Sequence, residues 1–218
     1  MRAAPAEDDE PGAAQTAARR GRARRHDADE ERTLILDAAM QVLRDNKFAD
    51  APIAEILDEA GLSTRAFYRR FKSKDDLLLA LHLRDAELLA RRLEERVAAA
   101  GSPADGLRAW ITEVAKVRTD RRRSERANLL GSEVVRRSPG FEEQTVRALE
   151  LAARPLRAVL EAGRADGSFP AADPRRDVAL IQSMVWPFTA RAPQRGSTGA
   201  TLEHVVTFCL RALGASSA

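Results

Sequence analysis

The chain has 218 residues, of which 44% are hydrophobic and 32% are charged, the balance of a folded globular protein and not of a disordered one. Its 36 lysines and arginines exceed its 33 acidic residues only slightly, so the total charge does not identify a polyanionic partner. One cysteine, Cys209, excludes an internal disulfide, and the three histidines lack the spacing of metal ligands. We therefore expect neither a metal nor a cofactor.

The N-terminal part of the sequence carries no membrane or secretion signal. Met1–Gln15 contains no apolar run, and the longest apolar stretch, Leu77–Leu81, is far shorter than the about 20 residues of a membrane helix. We therefore expect a cytoplasmic protein without membrane partners. Residues 1–28 are predicted to be a flexible basic arm, because they lack hydrophobic anchors. The basic cluster of this arm includes Arg22, Arg24 and Arg25.

The next segment has the pattern of an amphipathic helix. An apolar stripe at helical spacing, formed by Ile35, Ala38, Ala39 and Val42, predicts an amphipathic helix that ends near Asn46.

Asp50 as N-cap and Pro52 in the first turn predict a second helix, which runs to about Glu59. A break at Ala60-Gly61-Leu62 follows, since glycine tolerates a positive φ.

Ser63 is the predicted N-cap of a third helix, which runs from Thr64 to about Phe71. Phe67 and Phe71 lie one turn apart and are predicted to be buried. The opposite face then presents cationic side chains and one aromatic hydroxyl. This set is Arg65, Tyr68, Arg69 and Lys72.

The charge on this third helix favours a polyanionic partner. Residues 61–74 contain five cations and no acid, whereas an ordinary solvated helix mixes both signs. Two short helices around a glycine turn form a helix-turn-helix, whose second helix can enter a major groove of DNA. From the spacing alone, an ordinary helical corner is an equally good interpretation.

The remainder of the sequence is also predicted to be helical. Ser73 and Asp76 form a capping box for a fourth helix that ends before Gly101. Further breaks are expected near Asp120 and over residues 138–140, 163–174 and 192–199. Two prolines inside these helical stretches are each expected to kink a helix or mark a boundary. They are Pro155 and Pro187.

The segment Ile35–Leu81 closely resembles the signature of the tetracycline-repressor (TetR) family, above all in its stretch AGLSTRAFYRRFKSKDDL at 60–77. The resemblance implies that the helix after Ser63 reads DNA, that Tyr68 and Lys74 hold phosphates, and that the N-terminal arm can enter the minor groove. The residues predicted to contact DNA are Ser63, Thr64, Arg65, Ala66, Tyr68, Arg69, Lys72 and Lys74. Two positions, Ala51 and Leu57, depart from the residues common in the family.

The resemblance implies an all-α regulator that is not an enzyme. We expect an arm over 1–28, a three-helix helix-turn-helix DNA-binding domain over 29–75 and a helical effector-binding and dimerisation domain over 76–218. Such a homodimeric repressor leaves a palindromic operator when a small-molecule effector binds. Candidate effector residues are Trp110, Val114, Asn128, Glu133, Met184 and Phe188. Candidate dimer residues are Ala179, Ser183, Trp186, Leu202, Val206, Cys209 and Leu213.

Three alternatives stay open at the level of sequence. Each apolar candidate is equally compatible with ordinary core packing within one chain. A helical enzyme is disfavoured, because the sequence has no nucleophile motif, no metal-binding helix motif and no phosphate-binding glycine loop. A helix-turn-helix that contacts another protein, or binds DNA without any effector, is the third alternative.

Overall fold

The computed structural model describes residues 27–45, 51–190 and 198–215, and within these ranges it contains ten α-helices and no strand. This confirms the predicted all-α fold. The helices are α1 (Ala28–Asp45), α2 (Ile53–Ala60), α3 (Thr64–Arg70), α4 (Lys74–Ala98), α5 (Pro103–Thr119), α6 (Arg121–Leu130), α7 (Glu133–Arg136), α8 (Phe141–Ala165), α9 (Pro174–Ala190) and α10 (Thr198–Ala212).

Local capping explains where α2 ends and where α3 and α4 begin. Gly61 ends α2 with a φ of 64°, a left-handed conformation that costs glycine little. The Ser63 hydroxyl accepts a hydrogen bond from the Ala66 amide and starts α3, as predicted. The Ser73 hydroxyl accepts one from the Asp76 amide and starts α4.

The N-terminus of α2 differs from the prediction. Pro52 occupies the N-cap position and makes no side-chain cap, so α2 begins two residues later than a cap at Asp50 would place it. The predicted cap, Asp50, lies outside the described residues. Proline is tolerated here for two reasons. Its fixed φ is compatible with the start of a helix, and the N–H that it lacks would have no partner within the helix.

Two hydrophobic cores share the long helix α4. The first core is built from α1, α2, α3 and the start of α4, and it also contains Leu130 of α6 and Val135 of α7. The second core joins the distal part of α4 to α5, α8, α9 and α10. The first core thus takes residues from both sides of the predicted domain boundary after residue 75. A shift of α6 or α7 would therefore disturb the packing around α1–α3.

The helical body contains one break that the sequence did not predict and two prolines that lie within helices. A break that the sequence did not suggest separates α6 from α7, where the Ser132 hydroxyl accepts a hydrogen bond from the Val135 amide and caps α7. By contrast, neither Pro155 in α8 nor Pro187 in α9 ends its helix. A proline removes one backbone hydrogen bond, and the packing of these helices outweighs that loss.

Candidate nucleic-acid interface

The outer face of α3 carries the side chains predicted to meet DNA. Arg65 and Lys72 are exposed, and Tyr68 is 60% exposed although it is aromatic. Phe67 and Phe71 are buried on the inner face, with their ring centroids 5.6 Å apart. The two phenylalanines hold α3 against the first core, so the polar face points to solvent.

One predicted contact residue, Ala66, needs correction. It is only 3% exposed, because it lies beside Phe67 on the face that packs inward. Its backbone amide is also engaged by the Ser63 hydroxyl at 3.3 Å. The methyl group of Ala66 is therefore hidden from a duplex, and the residue supports the turn instead.

Only part of the Arg69 guanidinium group can contact DNA, because an acidic residue of α1 forms an ion pair with it. The Glu31 carboxylate accepts hydrogen bonds from Arg69 Nη2 at 2.7 Å and from Arg70 Nε at 2.9 Å. Burial raises the pKa of Glu31, but the two guanidinium groups outweigh it and hold the pKa below its ordinary value of 4.5. Glu31 is thus an anion paired with two cations of α3.

No signal in the sequence indicated this pairing. Asp29, Glu30 and Glu31 together look like the acidic first turn that favours any helix N-terminus. Glu31 and Arg69 are 38 positions apart in the sequence, and no pattern between them relates the two residues. Only the packing of α1 against α3 brings the carboxylate to the basic face.

The remaining predicted contact residues cluster at the two helix N-termini. Ser63 and Thr64 are exposed at the start of α3, and Lys74 is half-buried at the start of α4. Backbone N–H groups at a helix N-terminus attract phosphate oxygens, so this edge has the polarity of an anion site. Asp76 takes up part of that polarity, because its carboxylate accepts a hydrogen bond from the Lys72 amide at 2.9 Å. The arm residues Arg22, Arg24 and Arg25 lie outside the described residues.

The predicted effector residues do not share one environment. Trp110 and Val114 are fully buried in the second core, and the Trp110 indole Nε1 donates a hydrogen bond to the Ala152 carbonyl at 2.9 Å. Asn128 and Glu133 are exposed, and Met184 packs against the second core while partly exposed. The side chain of Phe188 lies outside the described part of the structure.

Two surface grooves lie elsewhere. A groove of about 220 Å³ between α1 and α4 is lined by Arg32, Thr33, Leu36, Ala80, Leu83, Arg84 and Glu87. A second and more open one, of about 540 Å³, lies where α8 approaches α9 and is lined by Glu161, Arg164, Ala165, Asp173, Pro174 and Arg175. Neither groove includes a predicted effector residue.

A polar cluster that the sequence did not suggest joins α4, α5 and α6. The Glu113 side chain is 2% exposed and pairs with Lys116 Nζ at 2.9 Å and Arg123 Nη1 at 2.6 Å. Burial raises the pKa of Glu113, but hydrogen bonds from these two cations bring the net pKa below the ordinary value. Nearby, Arg126 Nε lies 2.5 Å from Asp85 Oδ1, yet burial leaves the pKa of Asp85 raised.

The predicted dimer residues divide into buried and exposed groups. Val206, Cys209 and Leu213 are at most 2% exposed within a single chain, and burial raises the pKa of Cys209 to about 11. Trp186 and Leu202 pack partly against the same core, whereas Ala179 and Ser183 are exposed. On α9 and α10, two large apolar side chains are exposed although neither was predicted to lie at the interface. They are Leu180 on α9, 63% exposed, and Phe208 on α10, 48% exposed.

Two other kinds of site are missing from the described part of the chain. None of the helices there is both long and apolar enough to span a bilayer. No group of three or more histidine, cysteine or acidic side chains is placed to hold a metal ion among the same residues.

Sequence comparison identifies a known domain at the N-terminal end of the chain. Residues 35–81 match the family model described as bacterial regulatory proteins, tetR family. The fatty acid metabolism regulator protein of Bacillus subtilis (strain 168) is 30% identical over 63 residues, which are 29% of this chain. That match covers 32% of the length of the relative.

Solved structures resemble the chain over most of its length. The transcriptional regulator FadR from Bacillus subtilis, in complex with stearoyl-CoA, has a TM-score of 0.60 at 19% identity and covers 83% of this chain and 98% of its own. A regulator described as belonging to the TetR family, from Mesorhizobium loti, has a TM-score of 0.66 at 18% identity, with 86% and 96% covered. At these identities the likeness establishes the fold.

Proposed function

We propose that the chain is a DNA-binding transcriptional regulator of the tetR type whose recognition helix is α3, because residues 35–81 match the family model of these bacterial regulatory proteins. The observation that carries this proposal is the polar outer face of α3, where Arg65, Tyr68 and Lys72 are exposed and take no part in the core. A protein that binds the bacterial chromosome works in the cytoplasm, so we propose that location too.

The proposed contacts fall into two classes. Arg65, near the N-terminus of α3, is the proposed reader of base edges, since arginine forms bidentate hydrogen bonds with guanine. Tyr68, Lys72 and Lys74 are the proposed phosphate contacts, which fix the position of the helix without reading sequence. Ser63 and Thr64 add the polar N-terminus of α3 to this set.

We propose that the active form is a homodimer joined through α9 and α10. Leu180 and Phe208 are large apolar side chains left exposed on these two helices, and Ala179 and Ser183 are small enough to let a second helix approach. A two-fold dimer would hold two α3 helices about 34 Å apart, the spacing of successive major grooves on one face of DNA. The operator would then be palindromic.

Repression is proposed to end when a small molecule binds and the protein leaves the DNA. Leu130 and Val135 connect α6 and α7 with the core that supports α3, so a ligand that moves α6 would alter the position of α3. Stearoyl-CoA is the first compound to test, because it is bound in the related Bacillus subtilis structure.

A constitutive DNA-binding protein without an effector is the second candidate. Trp110 and Val114 are fully buried, and the indole of Trp110 is satisfied by a backbone carbonyl, as in a filled core. If stearoyl-CoA and a panel of other metabolites leave both DNA affinity and thermal stability unchanged, this second candidate is favoured.

A titration with variants tests the proposed recognition helix. We expect Tyr68→Phe and Lys74→Ala to weaken binding to both a selected duplex and a random duplex, because each removes a phosphate contact. Arg65→Ala should weaken binding to the selected duplex by about 1–3 kcal/mol and reduce discrimination between the two duplexes. Fluorescence anisotropy with labelled DNA measures both effects.

Arg121→Ala provides the matched control for these variants. Arg121 is 92% exposed on α6, far from α3 along the chain, and its removal also deletes one positive charge. We expect it to leave the discrimination between duplexes unchanged. Equal affinities for the wild type and all three α3 and α4 variants would refute the proposed interface.

A further inference from the structure

The charge on α3 is partly cancelled from within the protein. Glu31 of α1 lies between Arg69 and Arg70, with oxygen–nitrogen distances of 2.7 and 2.9 Å to the two guanidinium groups. Its carboxylate engages one cation with each oxygen, which is the arrangement in which a phosphate group would also be held. Arg69 and Arg70 therefore already have an anionic partner when no DNA is present.

The exposed fractions of the three paired side chains show which of them a phosphate could reach. The Glu31 side chain is 10% exposed, while Arg69 is 46% and Arg70 is 24% exposed. The carboxylate is hidden behind the guanidinium groups, so solvent and salt reach it poorly. The Arg69 head remains close enough to solvent for a phosphate to compete for it.

A phosphate must therefore compete with this internal anion for the positive charge of Arg69. Sequence-independent binding to DNA depends on how many phosphates the protein neutralises, since each contact releases counterions from the duplex. Base-specific contacts from Arg65 do not involve Glu31, because Arg65 is exposed and lies one turn earlier on α3. The pairing therefore reduces non-specific affinity more than specific affinity.

We propose that Glu31 is a specificity-determining residue, an internal counter-ion that keeps Arg69 and Arg70 from adding phosphate contacts on random DNA. The inference rests on the proposed function, because it assumes that α3 faces a duplex. It assigns Arg69 to the support of α3 and not to the primary contact surface.

The salt dependence of binding to a random-sequence duplex tests this inference. The slope of log affinity against log salt reports the number of phosphates contacted. We expect Glu31→Gln to steepen the slope by about 0.9 for each arginine released, and to raise the affinity for random DNA about three- to tenfold at about 0.1 M salt. Replacing Arg69 by Met in the Glu31→Gln protein should return the slope toward its original value.

Asp37→Asn is the matched control. Asp37 is on the same helix and also pairs with an arginine of another helix, Arg84 of α4, so the change in net charge is the same. We expect a clearly smaller effect on the slope, because the arginine that Asp37 pairs with lies on α4 and not on α3. Equal steepening by both variants would assign the effect to total charge and overturn the inference.

A second variant and circular dichroism test whether the substitutions leave the protein folded. Glu31→Asp keeps the negative charge but is one methylene shorter, so it is expected to reach the two arginines less well and to steepen the slope by an intermediate amount. A folded Glu31→Gln or Glu31→Asp protein with an unchanged or shallower slope overturns the inference while leaving the proposed function intact. Absence of any salt-dependent DNA binding by the wild type would instead overturn the proposed function.

Discussion

At the scale of single residues, the contact between Gly163 of α8 and Phe169 leaves no space for a side chain on the glycine. A Cβ atom on Gly163 would lie 2.2 Å from the ring of Phe169, which is itself fully buried. The ring has no room to move, so we expect Gly163→Ala to destabilise the protein by about 1–3 kcal/mol despite the better helix propensity of alanine. Chemical denaturation followed by circular dichroism measures the change.

Gly101→Ala is the control for this substitution. A Cβ atom at Gly101 has no neighbour within 4 Å, so its replacement should change the free energy of unfolding by less than about 0.5 kcal/mol. Equal stabilities of the two variants would contradict the close packing of α8 against Phe169.

Sequence patterns predicted which face of α3 is polar better than what each polar residue does. Arg65 and Tyr68 are exposed, as helical spacing from the buried Phe67 and Phe71 requires. Ala66 was predicted to contact DNA but is buried, because the inward face of α3 is wider than the stripe that Phe67 and Phe71 define. The pairing of Glu31 depends on tertiary contacts, which spacing along the chain does not contain.

At the scale of elements, local signals and tertiary contacts account for different parts of the fold. Caps at Ser63 and Ser73 could be predicted, because the hydroxyl acts on an amide three residues away. The separation of α6 from α7 was missed, since Gly131-Ser132 is a weak signal among residues that otherwise favour a helix. Pro155 was expected to kink α8 or to mark a boundary, and no boundary occurs there, because packing overrides a strong local signal.

The attachment of α6 to the body depends on the charge of Glu113, and this gives a pH-dependent prediction. The pKa of Glu113 lies below its ordinary value of 4.5, so its stabilising effect is present above about pH 4.5 and is lost as the pH falls through the lowered pKa. We expect Glu113→Gln to cost about 1–3 kcal/mol at pH 7, by loss of charge-assisted hydrogen bonds, and much less at acidic pH. Unfolding curves for both proteins at several pH values test this.

Glu125→Gln is the matched control on α6 itself. Glu125 pairs with Arg121 on the surface, where both side chains are largely exposed. Such pairs contribute little, so the expected change at pH 7 is below about 0.5 kcal/mol. A Glu113→Gln effect that is equally small, or that persists undiminished in acid, would argue against an ionised Glu113 between Lys116 and Arg123.

At the scale of the whole molecule, α4 connects the core that supports α3 with the core of the C-terminal helices. It contributes Leu77, Leu78 and Leu81 to the core around α3 and Leu93 to the core of α5 and α8. The bounds of the arm, the DNA-binding domain and the effector domain stay a prediction, whereas the helical character of the C-terminal part could be predicted from the sequence. The positions of the effector and dimer residues could not, because burial in the chain's own core and exposure to a partner give the same apolar pattern along a helix.

Selection of bound sequences from a pool of randomised duplex DNA tests the central claim, that α3 of a dimer reads DNA, most directly. For the wild type we expect enrichment of a palindrome whose half-sites are about 10 base pairs apart, or a multiple of that spacing. Arg65→Ala should lose preference at one symmetric pair of positions while Arg121→Ala selects the wild-type sequence. Recovery of no preferred sequence, or of the same sequence with the same preference by Arg65→Ala, would contradict a role of α3 in reading DNA.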